Sequence, residues 1–133
     1  MFDVDESAWP IVAVTWHGSV DDAELERLLG WVDQWFARGE RFGLLLDLRR
    51  GIGDMSSDQR ALVVRHMRAT AEKSGAGMVQ AIVYDHPLHR AMYEVMSRIF
   101  PLPFPSKTFP EPESARVWLA DKLRSVTAGG RAR

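Results

Sequence analysis

Two adjacent serines stand at the start of a helical pattern, within the stretch "RRGIGDMSSDQR" (Arg49–Arg60). A serine at such a position could carry a phosphate, because the free amides at a helix start stabilise an anion. Ser56 followed by Gln59 also fits a capping box, in which each side chain binds the backbone amide of the other residue. The sequence therefore offers Ser56 and Ser57 as candidate phosphoacceptors, with a plain helix cap as the simpler interpretation.

A second polar group, Asp85, His86 and His89, lies between a predicted strand and a predicted helix. Two imidazoles and a carboxylate could hold a metal ion. The histidines are three positions apart, whereas the helical zinc motif places its histidines four apart. The simpler interpretation is that His86 caps the helix and His89 lies at the surface. We therefore predict no metal and no cofactor, and a metal-dependent enzyme stays an alternative that requires a third ligand.

Arg49 and Arg50 follow a predicted strand and precede a glycine-containing turn, where they could receive a phosphate. The turn lacks the Gly-Lys-Ser/Thr of a nucleotide-binding loop, so solvated charge is the simpler interpretation. Ligands of open α/β sheets bind at the carboxyl ends of the strands. Arg49 and Arg50, together with Asp85, His86 and His89, therefore define a candidate edge for a small ligand or a lipid.

The composition narrows the classes of function. The chain has 133 residues, which favours one domain, and its net charge of -1 argues against a nucleic-acid-binding protein. It has no cysteine, which excludes disulfides and thiol catalysis. No apolar run approaches the roughly 20 residues that span a bilayer, so we expect no membrane insertion. The start of the chain lacks the apolar core of a signal peptide, and we expect a cytoplasmic protein.

The elements that would position these residues alternate along the chain. Strand and helix patterns follow one another in the order β-β-α-β-α-β-α-β-α, which is typical of parallel strands joined by helical crossovers. Leu44, Leu45 and Leu46, bounded by glycines, indicate a strand buried on both faces. We predict a single α/β domain over residues 1–125, with a mostly parallel sheet of four or five strands and four helices. Residues 126–133 are predicted to form a flexible basic tail.

The third helix has a strong apolar periodicity that predicts a buried stripe. The residues of this predicted stripe are Leu88, Ala91, Met92, Val95, Met96 and Ile99.

The chain from Ile11 to Leu123 resembles the STAS superfamily, the domains of bacterial anti-sigma factor antagonists and of the cytoplasmic part of sulfate transporters. The stretch "LLLDLRRGIGDMSSDQRALV" joins strand to helix as in those domains. The segment "KTFPEPESARVWLADKL" is similar to the sporulation anti-sigma factor antagonist-like (STAS-like) family of small uncharacterised bacterial proteins. The residues that carry this similarity are Phe109, Glu111, Glu113, Ala115, Trp118 and Leu119.

In the antagonist branch, a kinase modifies a serine that directly follows an aspartate, and the phosphate blocks partner binding. Here Met55 separates Asp54 from Ser56, and Asp58 and Gln59 stand where that branch has a small and an apolar residue. The resemblance therefore implies the fold and a non-enzymatic role, with the phosphorylation switch absent.

We expect a regulatory module that binds another protein, with a homodimer as one arrangement. The predicted contact surface is the start of the second helix. The residues of this surface are Asp54, Met55, Ser56, Asp58 and Arg60.

Overall fold

The computed structural model describes residues 2–50, 56–74, 77–99 and 104–131. The strands are β1 (Phe2–Asp5), β2 (Ile11–Trp16), β3 (Phe42–Asp47), β4 (Met78–Val83) and β5 (Ser106–Phe109). The helices are α1 (Asp22–Ala37), α2 (Ser57–Ser74), α3 (Pro87–Ile99) and α4 (Pro112–Arg131). This is the element order that the sequence predicts.

The five strands form one sheet in the order β1-β2-β3-β4-β5. β1 pairs with β2 antiparallel, and the three pairs that follow are parallel. In the centre, Leu44 lies between Val12 of β2 and Gln80 of β4. The predicted single α/β domain with a mostly parallel sheet is confirmed.

Helices cover the sheet on both faces, as the runs of apolar residues in β3 and β4 require. On one face, Trp35 and Phe36 of α1 and Met67 of α2 pack into a cluster that includes Phe42 of β3. On the other face, α4 alone among the described helices contributes buried residues, and its Leu119 packs against Leu45 and Val79 in a second cluster. The sheet therefore separates a three-helix layer from a one-helix layer.

Polar contacts join α1 and α2 within the three-helix layer. Asp33 of α1 lies 2.8 Å from the Nε2 atom of His66 and accepts a hydrogen bond from the Thr70 hydroxyl at 3.1 Å. The side-chain amide of Gln59 donates to Asp22 at 2.8 Å. These contacts fix the start of α2 and its inner face relative to α1.

The outward direction of α3 differs from the sequence prediction. Ala91 is exposed, as are four large apolar side chains of the predicted buried stripe. Their exposed fractions are 59% for Leu88, 55% for Met92, 53% for Val95 and 61% for Ile99. The opposite side of the helix faces the protein, with half-buried Arg90 and Tyr93. The prediction of burial was wrong for these residues, because periodicity identifies an apolar stripe without fixing which way it faces.

The end of α4 also differs from the sequence pattern. The helix runs to Arg131, into the segment 126–133 that we predict as a flexible basic tail. Flexibility of this segment stays a prediction.

Candidate functional site

The start of α2 is held by a capping box. The backbone amide of Gln59 donates to the Ser56 hydroxyl oxygen at 3.1 Å, and the backbone amide of Ser56 donates to the Gln59 side-chain oxygen at 3.0 Å. The reciprocal pair satisfies two amides that a helix start otherwise leaves open. The capping role predicted for Ser56 is confirmed, and its hydroxyl oxygen is already an acceptor. Asp54 and Met55 of the predicted contact surface lie outside the described residues.

At the end of β3, a buried carboxylate engages the first of the two arginines. Asp47 is only 7% exposed, and its two oxygens accept side-chain hydrogen bonds from Arg49 at 3.0 and 2.8 Å. The backbone amide of Arg49 adds a third hydrogen bond at 3.1 Å. Two hydrogen bonds from the guanidinium to the two carboxylate oxygens are the strong, bidentate form of an ion pair. Arg49 and Arg50 are both exposed, but the Arg49 side chain is bound to the strand end.

The Asp47–Arg49 ion pair shifts the pKa of both groups. Burial alone would raise the pKa of Asp47, but the hydrogen bonds from Arg49 outweigh burial and hold the pKa below its ordinary value of 3.8. The hydrogen bond to Asp47 raises the pKa of Arg49, and the charge of Asp85 adds to this effect. Asp85 and Arg49, two residues of the predicted ligand edge, therefore lie within electrostatic range of each other, and a ligand at this edge stays a prediction. The main partner of Arg49, Asp47, was missed by the sequence prediction.

The two histidines lie next to each other at the start of α3, with ring centroids 5.0 Å apart. The Nδ1 atom of His86 accepts the backbone amide of Leu88 at 3.1 Å, so His86 caps the helix as predicted. His89 is half-buried rather than at the surface, and its ring lies 5.9 Å from that of Tyr84. Across the described part of the chain, no three His, Asp or Glu side chains come together as a metal site.

Polar contacts hold α3 against the sheet. Arg90 donates from Nη1 to the backbone carbonyl of Tyr84 at 2.9 Å. The Tyr93 and Ser106 hydroxyls share a hydrogen bond of 2.6 Å, which links α3 to β5. Burial raises the pKa of Tyr84 to about 12 and also raises the pKa of Tyr93, so both phenols stay neutral near neutral pH. These contacts set the rotation of α3 about its own axis.

With its inner side held in this way, α3 turns an apolar surface outward, here called the α3 face. Its residues are Leu88, Met92, Val95 and Ile99. Their spacing of four, three and four positions places them on one side of the helix over about three turns. Contiguous apolar surfaces of this kind mark interaction sites more often than single exposed apolar residues do.

A cleft lies between α2 and the last turn of α3, with a volume of about 520 Å³. Ile99 of the α3 face forms part of its wall, so the cleft continues from that face. The rest of its lining, as far as the structure describes these residues, comes from α2. These residues are Ala61, Val64, Arg65, Arg68, Ala69 and Glu72.

A match to a family model shows which protein family the chain belongs to. The model, described as SpoIIAA-like, covers residues 11–120. The chain belongs to the SpoIIAA-like family. The predicted resemblance to sporulation anti-sigma factor antagonists is thereby confirmed. None of the curated protein sequences matches the chain.

Two solved structures share the fold of this SpoIIAA-like protein. One is an uncharacterised protein of the DUF3478 family from Shewanella loihica PV-4, with 17% identity and a TM-score of 0.62. That alignment covers 90% of this chain and 92% of the other. The second is the anti-sigma factor antagonist SpoIIAA in its unphosphorylated form, with 16% identity and a TM-score of 0.61. It covers 93% of this chain and 98% of SpoIIAA.

We expect Ser56→Ala to lower the free energy of unfolding by about 1 kcal/mol, because it removes a cap of α2. The control is Ser57→Ala, an exposed neighbour that takes no part in the capping box, with an expected change within about 0.5 kcal/mol. Urea unfolding at neutral pH measures both. Equal losses in the two variants would contradict a capping role for Ser56.

Arg49→Ala should lower the free energy of unfolding by about 1 to 3 kcal/mol at pH 7, because the buried carboxylate of Asp47 loses its side-chain donors. The folded-state pKa of Asp47 is lowered, so this contribution is present above its unfolded pKa of about 4. The difference from wild type should therefore narrow as the pH falls below about 4.

Urea titrations at pH 7 and at acidic pH measure this effect, with the exposed Arg50→Ala as the control, expected to change stability by less than about 0.5 kcal/mol. If Arg49→Ala matches Arg50→Ala at pH 7, Arg49 is available to a ligand and the ligand-edge interpretation regains support.

Proposed function

We propose that this SpoIIAA-like protein is a non-catalytic cytoplasmic regulatory module that binds another protein, with the α3 face as its main contact surface. The observation that carries the proposal is the outward position of Leu88, Met92, Val95 and Ile99, each more than half exposed. Aromatic and large aliphatic side chains fill the centres of protein interfaces, where their burial drives association. Within the described residues, no helix is long and apolar enough to cross a bilayer.

The start of α2 is the second part of the proposed surface. Ser56 and Asp58 are exposed there and Arg60 is half-buried, so the described residues of this segment offer polar groups to a partner. One protein of the same fold is an anti-sigma factor antagonist, which supports a regulatory role through protein binding. A second copy of this chain is one partner that the proposal includes.

The alternative function, a small-ligand or lipid site at the carboxyl edge of the sheet, has less support. Such a site needs polar groups that are open to a ligand. Arg49 is bound by Asp47, and the Nδ1 atom of His86 accepts a backbone amide. Both groups would have to give up internal hydrogen bonds before they could bind a ligand, which costs free energy.

We also propose that the chain lacks the phosphorylation switch. The Ser56 oxygen already accepts a hydrogen bond in the capping box, and Asp58 would repel a phosphate at this position. Intact-mass and peptide mass spectrometry of the protein isolated from its native host should find Ser56 and Ser57 unmodified. A phosphate on a measurable fraction of either serine would restore the switch and refute this proposal.

For the contact surface, we expect Val95→Glu to reduce partner binding at least tenfold, since it places a charge at the centre of an apolar interface (about 1.4 kcal/mol or more). Val117→Glu is the matched control. Val117 is also a helical valine and is 71% exposed, but its helix, α4, covers the opposite face of the sheet. Both variants should fold, since an exposed substitution changes stability by about 0.5 kcal/mol or less.

Affinity purification from the native host with quantitative mass spectrometry measures binding to other proteins, and sedimentation velocity measures self-association. A partner retained by wild type and by Val117→Glu but lost by Val95→Glu supports the proposal. Equal retention by all three forms, or none by any, rejects the α3 face as a contact surface.

A further inference from the structure

The next inference rests on the proposed function and concerns the kind of partner that the α3 face binds. The face covers about three helical turns, roughly 16 Å from Leu88 to Ile99. At its end the surface continues into the cleft between α3 and α2, through Ile99. An apolar face that ends in a groove beside a second helix matches the way proteins bind an amphipathic helix, which inserts residues one helical turn apart.

The charges beside the cleft favour an acidic occupant. Arg65 and Arg68 line it from α2, against one carboxylate, that of Glu72. Among the described residues, neither arginine has an ion-pair or hydrogen-bond partner, so their charges are open to a ligand. Arg98 of α3 is exposed as well. Carboxylates on a bound helix would complement these cations, whereas cations would be repelled.

The same charges argue against a second copy of the chain as the occupant. α1 is acidic, with four acidic residues and one basic residue. Its large apolar side chains are nevertheless buried in the core or, for Trp31, half-buried against it, so α1 offers no exposed apolar stripe to another molecule. α4 carries exposed Val117, but the neighbouring Arg116 would bring a like charge toward Arg65 and Arg68.

An extended anionic surface fits less well than a helix. α1 lies beside α2 on the same side of the sheet, and it exposes Asp22, Glu26 and Asp33. Packed helices are about 10 Å apart, which is close to the Debye length at physiological salt. A flat anionic bilayer lying against α2 and α3 would therefore also approach these carboxylates, which would repel its negative charge. A single helix can instead lie over the cleft, between α2 and α3, and contact Arg65 and Arg68.

We infer that the partner offers an amphipathic helix with an apolar stripe flanked by Asp and Glu, which packs on the α3 face and directs its carboxylates toward Arg65 and Arg68.

A displayed peptide library tests this inference directly. The probe is a library of amphipathic helices of about 18 residues, long enough to be helical and to cover three turns. The apolar stripe varies among Leu, Ile, Phe and Met, and the flanking positions vary among Glu, Lys and Gln. Wild-type protein should raise the ratio of Glu to Lys at the flanks at least about threefold over the starting library.

Two double variants test the assignment of the charges. Arg65→Glu with Arg68→Glu should reverse the preference toward Lys and bind a selected acidic peptide about tenfold more weakly. Arg116→Glu with Arg124→Glu changes the net charge equally, on the other side of the sheet, and should behave like wild type. Val95→Glu should enrich no helix.

The other outcomes separate the two proposals. Enrichment of neutral or basic helices by wild type, but not by Val95→Glu, overturns the acidic partner and leaves the protein-binding face in place. Enrichment by neither form rejects the helical partner, and the affinity purification with Val95→Glu then decides whether the α3 face binds protein. If wild-type protein enriches no helix but sediments with vesicles of phosphatidylcholine and phosphatidylglycerol, and Val95→Glu does not sediment, the α3 face binds lipid rather than protein.

Discussion

The structure depends on the burial of β3 and β4 from both sides. Every residue of β4 is buried, and in β3 only Leu46 is partly exposed. Strands of this kind need a helix layer on each face, and the chain supplies three helices for one face and one for the other. Gly43 of β3 illustrates how closely the layers approach, since a side chain there would meet Leu119 of α4 at 3.2 Å. The positions of the surface helices follow from this central requirement.

The polar residues that could do chemistry are largely engaged in positioning these elements. Ser56 caps α2, His86 caps α3, and Arg49 binds the buried carboxylate at the end of β3. In other open α/β sheets the carboxyl edge holds ligands, because its loops present free polar groups. Here hydrogen bonds within the chain take up several of those groups. In the described part of the edge, these groups therefore position the elements of the fold.

How much of the fold and of the candidate site the sequence predicts depends on how far apart along the chain the residues that form each feature lie. The capping roles of Ser56 and His86 depend on neighbours two or three positions away, so the sequence identifies both. The element order follows from apolar periodicity, which spans whole elements. The Asp47–Arg49 pair was also local, and an acid at the end of a buried strand followed by arginine two positions later could have revealed it. The rotation of α3 was beyond reach, since tertiary contacts of Arg90 with the Tyr84 carbonyl and of Tyr93 with β5 determine it.

The rotation of α3 shows why an apolar stripe can remain outside a well-packed domain. β5 is an edge strand of four residues, so it offers little apolar surface for a helix to cover. The contacts that hold α3 there are directional: Tyr93 bonds to Ser106, and Arg90 to the Tyr84 carbonyl. Turning Val95 inward would break both contacts and leave half-buried polar groups without these partners, which costs free energy. Hydrogen bonding to the sheet therefore fixes the helix, and the apolar face remains available for another molecule to cover.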